Sequence, residues 1–456
     1  MWPAVYCAKQ QVRELQSPSA TRKADIHMLR STVLYFAYNT LGHLALPAVL
    51  ARLAIKGWKQ PEYYARLGER LGLDRTGARQ GCIWLHTVSV GEVQAATSLI
   101  QHLLAHYPDR DLLLTTTTPT GSRLVQDKFG EQVKHCYLPY DLTWAVQGFL
   151  RTHRTALALF METEIWPNMF RRCHSLGIPL LLLSARISSS SCQGYRKVKP
   201  LIQASLNSCS RILAQSQADA SRLIGLGADQ DRIMVSGNLK FDIHVPQEQI
   251  QAGISLRQEL WPQRPVWIAA STHPGEEEQL LQAQARIQEQ LPQSLLILAP
   301  RHPQRFERVF ALCREQGFDV CRRSRASTAQ AAGCSIYLAD SMGELLSLYP
   351  AADAAFVGGS LVDTGGHNLL EPACMGLPVL SGPHLDNFQQ VASILQHKQA
   401  LGIVRQPEEL AREVLALLQD SNLASARGQK ARQAVQENQG ALELTLEQIS
   451  RLLQQC

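Results

Sequence analysis

The segment Val357-Gly358-Gly359-Ser360-Leu361-Val362-Asp363-Thr364-Gly365-Gly366-His367-Asn368-Leu369-Leu370-Glu371-Pro372 sets four glycines between two apolar stretches. The first, 354–357, has the character of a buried strand, and the second, 369–375, reads as a helix. Glycine lets a backbone approach a ligand closely, and the free N–H groups at a helix start attract anions. Strand, glycine loop and helix start in that order suit a nucleotide phosphate. They point to an enzyme acting on an activated phosphate donor. The alternative is a surface loop whose glycines serve only turns.

Two carboxylate motifs could do the accompanying acid–base work. In Trp84-Leu85-His86-Thr87-Val88-Ser89-Val90-Gly91-Glu92 a strand end and a small-residue turn lead into a helix whose first turn holds Glu92. The positive end of a helix favours an ionised carboxylate. Such a group at a strand's carboxyl end is placed to take a proton from an incoming hydroxyl. Local sequence alone favours the plainer role, in which Glu92 only complements the helix dipole. His86 is a second candidate base, and strand alternation leaves open whether it faces the core. In Met161-Glu162-Thr163-Glu164-Ile165-Trp166-Pro167-Asn168 two carboxylates follow an apolar strand, which is costly unless they are solvated or paired with a cation. Lys240, in Gly237-Asn238-Leu239-Lys240-Phe241-Asp242, could supply that charge. Otherwise Glu164 is a first-turn residue and Lys240 is solvated.

Further strand ends in the second half carry polar groups. Ala299-Pro300-Arg301-His302-Pro303 delivers a guanidinium, which suits phosphate bidentately. Ser341-Met342-Gly343-Glu344 opens a helix with the spacing of a capping box. Ser271-Thr272-His273-Pro274-Gly275-Glu276 is another strand-to-helix turn. Their agreement on one edge of one sheet counts for more than any of them singly. Competing signatures are missing: Gly225-Leu226-Gly227 is followed by Gln230 where a dinucleotide fingerprint needs a third glycine. There is no Gly-x-x-x-x-Gly-Lys loop and no His-Glu-x-x-His. The pairs Asp109/Asp111 and Asp229/Asp231 precede strands, at the end of the sheet away from the expected site.

What must position these residues is an alternation of short apolar runs and helical periodicities beginning after Arg70. Strands are expected at 82–88, 111–118, 155–161, 179–184, 211–215 and 232–236, and then at 266–270, 294–300, 335–338, 354–357 and 378–381. In the helix expected over 91–106, Val93, Ala96, Ile100, Leu103 and Leu104 make one apolar face. Alternation of this kind means α/β parallel sheets covered on both faces. Two series imply two doubly wound domains, with the boundary near 237–261. Ligands of such sheets bind beyond the strands' carboxyl ends, so two facing domains would hold the site in the cleft between them.

A chain of 456 residues is long enough for two such domains, and 45% hydrophobic with 18% charged residues is a globular composition. The net charge of +6 is too mild to imply nucleic acid. Eleven scattered cysteines without Cys-x-x-Cys spacing read as reduced thiols, neither a disulfide framework nor a zinc site. Between Arg30 and Arg52 the chain carries no charge over 21 residues, enough to span a bilayer, although Asn39, Thr40 and His43 interrupt the run. The alternative is a long buried helix. The segment that follows, 56–66, mixes basic residues with Trp58, Tyr63 and Tyr64, which argues that the downstream chain stays on the cytoplasmic side.

Taken together, His86 to Glu92, Thr115 to Ser122, Tyr137-Leu138-Pro139-Tyr140-Asp141-Leu142, Met161 to Asn168, Gly237 to Asp242 and Gly358 to Glu371 resemble the 3-deoxy-D-manno-octulosonic acid (Kdo) transferases of lipopolysaccharide synthesis. The likeness runs from about Met28 to the end. It implies a GT-B glycosyltransferase of two Rossmann-like doubly wound domains facing across a cleft, with an N-terminal membrane-anchor helix at the cytoplasmic face of the inner membrane. The donor would be CMP-Kdo, and the acceptor the tetra-acylated lipid A precursor. By that likeness Glu92 is the general base, and Glu162 and Lys240 stabilise the transition state. Pro300, Arg301, Met342, Gly343, Glu344, Asn368, Leu369, Leu370 and Glu371 hold CMP. No metal or other cofactor is expected. The implied division is a disordered leader over 1–27, an anchor helix over 28–56 contacting the membrane through 29–56, an acceptor-binding domain over 57–240, and a CMP-sugar-binding domain with a helical tail over 241–456. Three rivals remain: a GT-B transferase using a UDP-sugar, a nicotinamide-dependent oxidoreductase, and a membrane-tethered ligand-binding protein without activity.

Overall fold

The computed structural model describes residues 18–455 apart from 65, 75–76 and 79–80, and omits the side chains of 18–31 and 59. The chain divides into two compact units, the first comprising 1–239 with 440–456 and the second 240–439.

The first unit is built on a parallel sheet of seven strands: β1 (Cys82–His86), β2 (Leu112–Thr116), β3 (Lys134–Tyr137), β4 (Thr155–Met161), β5 (Leu180–Ala185), β6 (Arg211–Ala214) and β7 (Ile233–Val235). Their order is β3-β2-β1-β4-β5-β6-β7. The central strands read Cys-Ile-Trp-Leu-His, Thr-Ala-Leu-Ala-Leu-Phe-Met and Leu-Leu-Leu-Leu-Ser-Ala because helices cover both their faces. Trp84, Phe149, Phe160 and Phe170 fill one face, and Leu85, Leu99, Leu159 and Leu183 the other. The helix expected over 91–106 is two helices, Val90–Ala95 and Thr97–His106.

The second unit repeats the design with β8 (Val266–Thr272), β9 (Leu295–Pro300), β10 (Val320–Arg322), β11 (Ile336–Leu338), β12 (Ala354–Val357), β13 (Val379–Ser381) and β14 (Leu401–Ile403), ordered β10-β11-β9-β8-β12-β13-β14. The strand order reverses between β1 and β4 in the first sheet and between β8 and β12 in the second, where β10 and β11 also exchange places at the edge. Crevices for ligands open at the carboxyl ends of such strand pairs.

Three strands have no counterpart among the expected ones: β3, β10 and β14. All lie at sheet edges, where one side is open and the apolar run shortens to three or four residues interrupted by Lys134, Arg322 or Gly402. The carboxyl-terminal tail also differs from expectation. Helix Ala441–Leu453 belongs to the first unit, where Ala441, Ile449 and Leu453 pack with Leu85, Leu159 and Leu183. An amphipathic helix carries no record of which of two apolar cores it will cover.

A single helix, Pro18–Lys59, opens the described chain. Residues 18–27, expected in the leader, are helical, and the rest of that leader, 1–17, lies outside the described residues. Thr32–Trp58 is long and apolar enough to cross a membrane. Phe36, Leu41, Leu44, Ile55 and Trp58 are exposed. The polar residues within the run have a use: Asn39 Oδ1 accepts from Thr143 Oγ1 (2.8 Å) and Asn168 Nδ2 (3.0 Å), and Tyr38 donates to Asp141 (2.8 Å). One stripe of the helix is therefore fixed to the first unit, and the buried-helix alternative fails.

Candidate active site

In the first unit the candidate residues follow β1 and β4, the two strands at the point where the sheet order reverses. The chain leaves β1 at His86 and turns through Thr87–Ser89 into helix Val90–Ala95. Glu92 is 9% exposed, and its carboxylate accepts the Val88 N–H (2.8 Å) and the Ser89 hydroxyl (3.5 Å). That is the contact with a helix start that the plainer reading asks for, and it also fixes the carboxylate at the strand's carboxyl end. His86, the other candidate base, is fully buried against Phe160, and burial pushes its imidazole down to about 3. So depressed a pKa, in the core, makes His86 unsuited to take a proton from an incoming hydroxyl.

Glu162 sits directly beyond β4 with φ +54, a conformation uncommon outside glycine and asparagine, and its N–H donates to Leu183 O (2.8 Å). Ser184 (φ +47) and Ser271 (φ +57) repeat this at the ends of β5 and β8, where the strand register shifts. Such strain persists only where the surroundings enforce it, and it gathers at functional sites. Glu164 accepts from Trp166 Nε1 (2.9 Å), and burial, with Glu162 adding to it, raises its carboxyl above the usual range. The residue before Lys240 is tied to the end of β5, since Leu239 N–H donates to Ser184 Oγ (3.2 Å).

In the second unit Pro300 ends β9, and Arg301 N–H donates to Thr272 O (3.0 Å) beside it. Met342 is 53% exposed and Gly343 takes φ +84. Glu344 forms no capping box. It is held instead by two hydrogen bonds from Arg323 (2.7 Å each), and these, before any other cause, keep its carboxyl below the usual range. The helix expected over 369–375 is the five-residue Leu370–Cys374. Asn368 braces its start: Oδ1 accepts the Leu370 N–H (3.1 Å), and Nδ2 donates to Glu371 (3.1 Å). Leu369 and Leu370 are buried in the core, so any ligand they touch is met by backbone.

The sequence marks 271–276 as a strand-to-helix turn but does not reveal which groups hold this edge together. Glu276 is fully buried, and its carboxylate accepts the N–H groups of His273 (2.9 Å), Gly359 (2.7 Å), Ser360 (2.9 Å) and Leu361 (2.9 Å). Glycine at 358 is required, because a Cβ there would lie 2.8 Å from Glu276 Oε2. Glu277, also fully buried, accepts from Arg305 (2.7 and 2.9 Å) and Thr272 (2.7 Å). In sequence the run Glu276-Glu277-Glu278 looks like ordinary acidic residues at a helix start. Elsewhere in the first unit, the possible ligand atoms of Asp74, Cys136 and His153 lie within 4.8 Å of one another, a grouping that could hold a metal ion.

Comparison with known proteins follows the same lines. Residues 65–243 match the family model described as 3-deoxy-D-manno-octulosonic-acid transferase (kdotransferase). The chain is 38% identical over 424 residues to the 3-deoxy-D-manno-octulosonic acid transferase of Haemophilus influenzae, covering 92% of this chain and 99% of that one. It is 37% identical to the Bordetella pertussis protein of the same name, over 70% of this chain and 76% of that one. Among solved structures, UDP-GlcNAc 2-epimerase from Neisseria meningitidis bound to UDP-GlcNAc matches with a TM-score of 0.52 at 11% identity, over 81% of this chain and 99% of that chain, a likeness of fold alone.

Proposed function

The chain belongs to the 3-deoxy-D-manno-octulosonic acid transferases, and we propose that it moves Kdo from CMP-Kdo to the tetra-acylated, phosphorylated glucosamine disaccharide that precedes lipid A. It is a glycosyltransferase with two parallel α/β units, and the near full-length match to the H. influenzae enzyme carries this reading.

The reaction is an inverting substitution at the anomeric carbon. Glu92 takes the proton from the acceptor's primary hydroxyl as its oxygen attacks. Its placement at the end of β1 and its near-complete burial support that role. The bond from the sugar to the phosphate oxygen breaks, and its electron pair leaves with CMP. Glu162 and Lys240 stabilise the transition state. Arg301, at the end of β9, meets the charge growing on the phosphate. Pro300, Met342, Gly343, Glu344, Asn368, Leu369, Leu370 and Glu371 complete the CMP contacts, with Arg323 holding Glu344 in place. The exposed apolar face of helix Thr32–Trp58 binds the cytoplasmic face of the inner membrane, beside the lipid acceptor.

Mass spectrometry of the lipid after incubation with CMP-Kdo and the tetra-acylated precursor tests the reading. The expected product is heavier by one or more Kdo residues. Transfer from a UDP-sugar and not from CMP-Kdo would overturn it.

A further inference from the structure

The carboxyl ends of β9, β8 and β12 lie side by side in the second sheet, and the loop after each delivers one histidine: His302, His273 and His367. The three imidazoles form one cluster. His273 and His367 lie edge to edge, their planes 18° apart and ring centroids 5.0 Å apart, with their Nε2 atoms 2.8 Å from each other. His302 stands edge-on to His273 at 5.3 Å. Two imidazole nitrogens at that separation share one hydrogen, one ring donating and the other accepting. A second proton would set two N–H groups head to head.

The charges around the pair come from each neighbouring loop. Glu276 and Glu277 follow β8, Arg301 and Arg305 follow β9, and His302 stands between them. Both carboxylates are committed, Glu276 to four backbone N–H groups and Glu277 to Arg305 and Thr272. Arg305 is thus bound to Glu277, while Arg301 stands close enough to His302 and His367 to lower both. The pair is therefore held neutral beside Arg301: burial first, then the neighbouring His273, Arg301 and His302, pushes His367 down to about 4, and His273 and His302 are lowered too.

Building on the donor assignment above, we propose that His273 and His367 are phosphate-binding residues that together take up one proton when the phosphate of the donor arrives beside Arg301. The proton comes from solvent. The shared hydrogen bond opens, and each ring turns an N–H toward a phosphate oxygen. When the sugar–oxygen bond breaks and its electron pair stays on the phosphate, the added charge falls on an oxygen these donors already hold.

The probe is CMP, and the protein is the full chain. Calorimetric titration at pH 7.5 in two buffers of different ionisation enthalpy gives the protons exchanged on binding. Uptake approaching one proton per CMP is expected. His367→Gln should abolish most of that uptake and weaken CMP binding about 10- to 100-fold, the worth of a charge-assisted hydrogen bond. CMP binding without proton uptake by the parent chain, or unchanged uptake by His367→Gln, overturns the inference and leaves the donor assignment standing. If CMP does not bind at all, both fall. Should the variant not fold, the parent's proton count decides alone.

Discussion

Replacing Glu276 by glutamine keeps the side chain's shape and exchanges one carboxylate oxygen for an amide nitrogen. Each oxygen now receives two backbone N–H groups: Oε2 those of His273 and Gly359, Oε1 those of Ser360 and Leu361. Whichever oxygen is lost, two buried N–H groups lose their acceptor and face another donor. A buried polar group left unsatisfied costs ~1–3 kcal/mol, so the variant should be destabilised by roughly 2–6 kcal/mol. For a unit of this size one kcal/mol moves the melting temperature by about 2–4 °C, which puts the expected drop at roughly 5–20 °C. Differential scanning calorimetry of the full chain measures it, and Glu276→Asp, which keeps the charge but shortens the reach, should fall between parent and Gln. Unfolding of the Gln variant within about 1 °C of the parent would refute the clasp, and with it the claim that Glu276 organises the Gly359–Leu361 loop.

Glu92→Gln should lower turnover with CMP-Kdo about 100- to 10,000-fold, the usual worth of a general base, and steady-state assay showing near-parent rates would remove Glu92 from that role. Gly359→Ala should cost ~1–3 kcal/mol in thermal unfolding, because Gly359 has φ +68 and a Cβ there would lie 2.7 Å from the His367 ring. Acid should destabilise the second unit. With His367 at about 4 in the folded chain and an ordinary value of about 6.5 when unfolded, the unfolded state takes up the proton first. The stability from the neutral ring is complete above about pH 6.5 and is lost as pH falls toward 4, at up to about 1.4 kcal/mol per pH unit. Urea denaturation at several pH values should show that slope, and His367→Gln should flatten it.

Much of the site could be read from the chain because its signals are local. The strand–turn–helix at Trp84 to Glu92 and the glycine loop at Gly358 to Gly366 each span a few residues, and backbone periodicity places both at strand ends. Edge strands β3, β10 and β14 escaped because a half-exposed strand of three or four residues lacks the apolar run that marks a central one. Glu276 escaped because its partners at Gly359 to Leu361 lie more than 80 residues away, while its own neighbourhood looks like an acidic helix start.

By itself the sequence determined the alternation of strands and helices and the position of Glu92 and Arg301 at strand ends, since each depends on contacts within one or two turns of chain. Tertiary structure alone decided that β9, β8 and β12 stand together, bringing His302, His273 and His367 into one cluster. It also decided that Asn39 would fasten the apolar helix to Thr143 and Asn168, and that the last helix would return to the first unit. These are pairings between distant segments, fixed by strand order and by which apolar surface is left to cover, and no local pattern encodes either.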